Sequence, residues 1–278
     1  MIDYQRLITA LVRPSSELGI LPELAALRPD FQLHLYDRLP STNQTAWQLI
    51  DQGHGAGTVV IAAEQTAGRG QWGRTWASPP GGLYLSLVLE PEMPLRHSNL
   101  LTLTSAWGIA TSLLNLAIPI QIKWPNDLVS QGSKVGGILT ESRLATSTTA
   151  RASPQLQQVV IGVGLNWDNP LPTNAASIRQ LLPDEASTRI KTLEDLAAIA
   201  LRGILQGFYY WQQQGNSAFV NAYIQKLAHH GKKVKLDGHI ARVEGVTLQG
   251  DLIVSLQHNG QKFVRFLKPG EISLGYNG

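Results

Sequence analysis

The chain has 278 residues, 43% of them hydrophobic and 15% charged, with 26 Gly, 15 Pro and no Cys. That composition belongs to a globular protein of one or two domains with a sizeable core, and it excludes disulfides, thiolate metal sites, iron–sulfur clusters and a cysteine nucleophile. Lys and Arg outnumber Asp and Glu by only 23 to 20, too few for nucleic-acid binding by the whole chain. Apolar runs such as Leu83 to Leu89 fall far below the roughly 20 residues of a membrane span, and Met1 to Arg13 carries no signal-peptide pattern, so a cytoplasmic location is expected.

Residues 1–30, interrupted by Pro14, Pro22 and Pro29, read as an N-terminal extension. Phe31 to Leu39 reads as a strand, and Ser41-Thr-Asn-Gln44 opens a helix to about Gln52, with Ser41 as N-cap and Gln44 as its capping-box partner. Thr58 to Ala63 and Gly81 to Leu89 are apolar strand runs, separated by a loop of about 17 residues rich in Gly, Arg, Trp and Pro. Loops of that length inside compact domains usually carry function. From His97 to Leu116, apolar residues at Leu100, Leu103, Trp107, Ala110 and Leu114 predict a helix with one buried face.

Ile118 to Trp124 reads as a strand ended by Pro125, and a hairpin around Gln131-Gly132-Ser133 leads into a strand from Lys134 to about Arg143. Ala145 to Gln157 is a Ser/Thr/Ala-rich surface connection, Gln158 to Trp167 a strand, and Thr192 to Gln214 and Ser217 to Ala228 two helices. Strands followed by packed helices predict an α+β domain over residues 31–230. Past His230, four short runs (Lys232 to Leu236, Ile240 to Val246, Asp251 to Leu256, Lys262 to Phe266) read as a small all-β barrel of about 45 residues within 231–278. From Lys226 onward there are eight Lys/Arg and four Asp/Glu, a balance of +4 that leaves −1 for everything before. This charge is either a solvated face or a docking surface for an acidic macromolecule.

Gly68-Arg-Gly-Gln-Trp-Gly73 has the spacing of a dinucleotide fingerprint, but Ser78-Pro-Pro-Gly-Gly82 blocks the helix that such a fingerprint must open. What remains is a glycine-rich loop with Arg69, Trp72, Arg74 and Trp76, suited to wrapping a phosphate with backbone amides and guanidinium groups. Lys123-Trp-Pro-Asn-Asp127, Lys134-Val-Gly-Gly137 and Ile161-Gly-Val-Gly-Leu-Asn166 read equally as turns and bulges or as places where a ligand approaches the backbone. Together they suit an anionic ligand that also carries an aromatic ring.

In this order and spacing, with Ser41-Thr-Asn43 and Glu64-Gln-Thr-Ala-Gly-Arg-Gly-Gln-Trp-Gly-Arg-Thr-Trp76, these motifs resemble the biotin–protein ligases of the kind that lack a DNA-binding N-terminal domain. The resemblance covers about residues 31 to 275, including the Gly270-Glu-Ile-Ser-Leu274 ending. It implies a class II synthetase-like mixed sheet with packed helices, plus a C-terminal SH3-like barrel. It also implies a two-step reaction in which biotin and Mg-ATP form biotinyl-5′-AMP, and a lysine of a biotin carboxyl carrier protein of acetyl-CoA carboxylase then takes the biotin. By the same resemblance, Ser41, Thr42, Asn43, Gln65, Gly68, Arg69, Gly70, Gln71, Lys134, Gly136 and Gly137 bind biotin. Arg69, Arg74, Trp76, Asn126, Asp127, Lys134 and Asn166 bind ATP or the adenylate, with Asp127 near the Mg²⁺ on the triphosphate. Lys134, Arg69 and Arg74 are the expected catalytic cations, offsetting the repulsion between carboxylate and α-phosphate.

Gln71 stands where the resembled family has Arg, so one positive charge is missing from the loop. The expectation is that Trp72 packing, Arg69 and Arg74 carry more of the adenylate retention. No DNA-reading module is expected in the 40 residues before Ser41, and no membrane partner. Monomer and homodimer both stay open. Lipoate and octanoate ligases, the alternative within the enzymes, lack the Lys-Trp-Pro-Asn-Asp run and the C-terminal barrel.

Overall fold

A computed structural model describes residues 2–145, 154–183, 189–258 and 261–275, and places them in a large mixed sheet, a small antiparallel sheet and four helices. The leading segment is more than an extension. Helix α1 (Tyr4–Leu11) is capped by Asp3, whose side chain accepts from Arg6 N, and it buries Leu7 and Ala10; Leu18, Ile20 and Leu24 follow them into the same core. Asp3 N donates to Glu194 Oε1 at 2.8 Å and Arg13 Nη1 to Asp195 Oδ1 at 2.9 Å, which ties this segment to the start of the last long helix.

Strand β1 (Gln32–Leu39) runs parallel to β2 (Thr58–Gln65), with α2 (Thr42–Asp51) as the crossover. Ser41 occupies the N-cap position, but its side chain makes no cap hydrogen bond and the expected capping box with Gln44 does not form; the neighbouring Thr42 N–H donates to Gln65 Oε1 at 2.8 Å. The chain continues through β3 (Leu83–Leu89), β4 (Met93–Pro94), α3 (Ser98–Asn115), β5 (Gln121–Lys123), β6 (Asp127–Ser130), β7 (Ser133–Leu144) and β8 (Gln155–Leu165). The sheet order is β1-β2-β3-β8-β7-β6-β5, with β4 on β8. Only three residues of the expected Ile118 to Trp124 strand pair; Ile118 and Ile120 are buried in the core instead. Most of the Ala145 to Gln157 connection lies outside the described residues.

Helix α3 was expected to bury one face, and it is buried all round from Leu100 to Leu113, between the sheet and α4 (Leu193–Ile224). The two helices meet at glycines, and a Cβ on Gly207 would overlap Thr104 O. A buried helix loses the polar face from which periodicity is read. The two expected C-terminal helices follow one another within Leu193–Ile224 and are separated where Gly215, at φ 77°, leaves the helical conformation. That rotation is open to glycine at no steric cost.

The small sheet holds β9 (Lys233–Leu236), β10 (His239–Val246), β11 (Leu252–His258) and β12 (Gln261–Leu267), in the order β12-β11-β10-β9. Its strands lie close to the sequence expectation, and the architecture among the described residues is a four-stranded antiparallel sheet. Leu236, Val243 and Leu252 join the main core, and Trp124 Nε1 donates to Gly250 O at 2.9 Å, so the change of sheet near residue 231 does not interrupt the packing. Among the described residues no helix is long and apolar enough to cross a membrane.

Three histidines set an acid-side trend in stability. Burial pushes His34, His97 and His229 below the ordinary imidazole value, helped by His54 at His34, by Arg96 at His97, and by Lys232 and Lys123 at His229. The unfolded chain takes up these protons near pH ~6.5, while the folded chain resists until lower pH, so stability falls as pH drops below that value. The urea midpoint should be lower at about pH 5.5 than at about pH 7.5, and His229→Asn should flatten the slope. An unchanged slope in that variant would remove His229 from the account.

Candidate active site

The site face of the large sheet is made accessible by three glycines. Register places Gly164 beside Tyr84 and Gly137, and Gly162 beside Ser86 and Leu139, while Gly137 also faces Asp127 across β6. Helix α2 covers the neighbouring part of this face, packing Ala46, Leu49 and Ile50 on Val60, Ala62, Val88 and Val160. Beyond the end of that helix the glycines leave backbone as the floor of a cleft. The Asn43 carboxamide lies against Gly162, and the Trp76 indole against Gly164 and Gly137. The cleft is walled by the start of α2, by residues 69–71 and 74–76 of the glycine-rich loop, and by Asn126, Asp127 and Lys134.

One end is rich in uncharged hydrogen-bonding groups. Ser86 Oγ, fully buried, donates to Asn43 Oδ1 at 2.6 Å and lies 2.8 Å from Thr42 Oγ1. Thr42 meets Gln65 Oε1, and Gln65 Nε2 donates to Ser78 Oγ at 2.8 Å, which donates to Trp76 O at 3.0 Å. On the other side, Asn43 Nδ2 donates to Glu141 Oε2 at 2.9 Å, and Glu141 Oε1 pairs with Arg69 Nη2 at 2.8 Å. A single network therefore orients Thr42, Asn43, Gln65 and Arg69. Such networks are rigid when every member is satisfied.

The other end is cationic. Lys134 Nζ lies 2.6 Å from Asp127 Oδ1 and 4.9 Å from the centre of the Trp76 ring, and Lys123 Nζ lies 3.5 Å from Asp127 Oδ2. Burial holds the Lys123 ammonium below the ordinary lysine value against the pull of Asp127, with Lys134 and Arg74 acting in the same direction as burial. One carboxylate among these cations leaves a surplus of positive charge suited to a phosphate-bearing ligand. Trp76 Nε1 is buried without a hydrogen-bond partner.

Residues 35–166 match the Biotin/lipoate A/B protein ligase family, and every motif of the cleft lies within that span. Over 208 residues the chain is 36% identical to the biotin–[acetyl-CoA-carboxylase] ligase of Paracoccus denitrificans, covering 71% of this chain and 81% of that protein. The chain belongs to the biotin/lipoate ligase family. It is also 36% identical over 160 residues to the bifunctional ligase/repressor BirA of Bacillus subtilis, covering 56% of this chain and 47% of that protein, so the match spans about half of that relative. The solved biotin protein ligase of Aquifex aeolicus in complex with biotin and ATP superposes with a TM-score of 0.62, covering 84% of this chain and 99% of that one at 23% identity. At that identity the likeness establishes the shared fold.

Of the family positions singled out in the sequence, Ser41, Thr42, Asn43, Gln65, Arg69, Gly70, Gln71, Arg74, Trp76, Asn126, Asp127, Lys134 and Gly137 line this ligase-fold cleft together. Gly68, Gly136 and Asn166 do not. A Cβ on Gly68 would overlap Trp76 O and one on Gly136 the Leu165 side chain, so both glycines serve close chain packing behind the wall. Asn166 Nδ2 is taken up by Lys134 O at 3.3 Å and Ala176 O at 3.2 Å. Asn126, though in the lining, fastens β7 by donating Nδ2 to Ile138 O at 2.7 Å. Trp72 lies outside the cleft, its indole against Gly270 beyond the small sheet.

Ser86 and Glu141 are the residues that sequence reasoning missed. Each left a faint signal: Ser86 is the one polar residue in Leu83–Leu89, and Glu141 shares a period of two with Gly137 and Leu139 on β7.

Proposed function

We propose that the protein is an ATP-dependent biotin–protein ligase, forming biotinyl-5′-AMP from biotin and Mg-ATP and passing biotin to a lysine of a biotin carboxyl carrier protein. The observation that carries this reading is the position of Lys134 Nζ, between Asp127 and the Trp76 ring, where the neutral hydrogen-bonding end of the cleft meets its cationic end. Biotin has the matching polarity: a ureido ring at one end and a carboxylate at the other. A hydrocarbon acyl chain laid against Ser41, Thr42 and Gln65 would desolvate those groups without replacing their bonds, which costs about 1–3 kcal/mol per group and disfavours lipoate or octanoate.

In the first step a biotin carboxylate oxygen bonds to the α-phosphorus and pyrophosphate leaves. Two unit negative charges about 4 Å apart in a partly screened site repel by about 4 kcal/mol. Lys134, Arg69 and Arg74 offset that charge as the new P–O bond forms. Glu141 keeps the Arg69 guanidinium aimed over the sheet. In the second step the carrier amine attacks the acyl carbon, AMP leaves, and the amine nitrogen releases its proton. Among the described residues Asp127 is the only carboxylate in the lining, both its oxygens are paired with lysines, and no cluster of three His, Asp or Glu side chains could hold a metal ion. A resident metal centre does not fit this donor set, and Mg²⁺ enters with the nucleotide substrate.

We read the small basic sheet as an SH3-like unit that helps hold the acidic carrier. Because it shares the main core, charge reversal at Lys233 and Lys235 separates docking from folding more cleanly than removal of residues 231–278.

Pyrophosphate exchange into ATP, measured with biotin, lipoate and octanoate in turn, tests the assignment: exchange with biotin alone is expected, and exchange with lipoate alone would overturn it. Gln71→Arg restores a cation to the loop and should slow adenylate release without acceptor by up to about tenfold, the worth of one charge-assisted hydrogen bond. An unchanged release rate would sink the idea that Trp72 packing, Arg69 and Arg74 carry adenylate retention in place of the missing cation.

A further inference from the structure

On the side of the molecule formed by the leading segment, a cavity of about 350 Å³ opens between α1, residues 28–31 and α4. Ile8, Leu11 and Phe31 form its apolar wall, and Arg28 and Arg202 bring two guanidinium groups to it. None of these residues belongs to the ligase motifs. Arg202, on α4, is only 3% exposed. Its Nη2 donates to Leu27 O at 3.0 Å and Ser15 Oγ at 3.3 Å, and no carboxylate pairs with it among the described residues. A guanidinium carries five N–H donors, and burying one without a counter-charge is costly.

Arg28 Nη1 donates to the same Leu27 carbonyl at 3.0 Å and to Ala25 O at 2.6 Å, so two like charges converge on one acceptor. Burial, and then the nearness of Arg28, push the Arg202 guanidinium below its ordinary value. Arg13 also borders the cavity but is neutralised by Asp195 at 2.9 Å and Glu17 at 3.6 Å. Asp30, the one acidic residue of the lining, makes no ion pair among the described residues. Two unmatched cations against one carboxylate leave a single positive charge, which a monoanion balances and a dianion exceeds.

We propose that this cavity binds a small amphipathic monocarboxylate, its carboxylate held by Arg202 and Arg28 and its short hydrocarbon chain lying on Ile8, Leu11 and Phe31. The bidentate fork of a guanidinium matches a carboxylate, and the apolar wall rewards a chain that a bare anion lacks. Because α1 and residues 28–31 form one side and α4 the other, an occupant clamps the leading segment onto the body of the protein. This site is independent of the ligase reading.

The test uses the full chain with hexanoate as probe, followed by thermal unfolding and calorimetry. A ligand that binds only the folded state raises the melting temperature in a saturable way. Hexanoate is expected to do so, acetate and inorganic phosphate far less, and saturating biotin is expected to leave the hexanoate effect intact. Arg28→Gln removes an exposed cation and Ile8→Trp fills the cavity; each should weaken hexanoate by about tenfold or more. No saturable rise, an equal rise with phosphate, loss of the effect under saturating biotin, or undiminished binding in both variants would each overturn the proposal.

Discussion

Replacing Lys134 with alanine should lower biotin-dependent pyrophosphate exchange by about 10²–10³-fold, the scale on which removal of one preorganised charge stabiliser acts. Among the described residues no other cation is placed as Lys134 is, 2.6 Å from Asp127 and against the face of Trp76. In the ground state its charge is largely answered by Asp127. As carboxylate and α-phosphate come together the local charge grows more negative, so the loss should fall mainly on kcat rather than on the KM for biotin. Lys134→Arg keeps the charge but spreads it over a planar group, and should recover only part of the rate. Exchange by the alanine variant within about threefold of the unaltered protein would remove Lys134 from the chemistry.

Gly162→Ala is expected to damage biotin binding, for a steric reason. A Cβ at this position would overlap Asn43 Oδ1. Asn43 cannot give way easily, because Ser86 Oγ fixes its oxygen at 2.6 Å and Glu141 fixes its nitrogen at 2.9 Å. Displacing it disturbs the network that also places Thr42, Gln65 and Arg69. The expected result is a biotin dissociation constant raised by about 10²-fold or more, two or more hydrogen bonds' worth, with a stability loss of about 1–3 kcal/mol. Titration calorimetry and urea unfolding on the same variant separate the two effects. Tight biotin binding in Gly162→Ala would mean that Asn43 can move freely and that the network is not what shapes this end of the cleft.

Local chemistry by itself determined much of this protein. Strand runs such as Thr58 to Ala63 and Gly81 to Leu89, the four short strands of the small sheet, and the helices around residues 42–51 and 98–115 follow from apolar pattern and turn residues, which act over a few neighbours. The glycine doublets and the Arg- and Trp-bearing loop marked the cleft for a similar reason, since a residue type that strips or decorates a strand does so wherever that strand lies. Only the tertiary structure decided the rest. Ser86 and Glu141 gained their parts because β3, β8 and β7 are neighbours in the sheet although far apart in the chain. Tertiary packing likewise turned Asn166 and Asn126 toward backbone groups, joined Thr42 N–H to Gln65 on β2, and enclosed α3 on every side. Each of these outcomes depends on which distant backbone group arrives within hydrogen-bond reach, and local sequence pattern does not encode that distance.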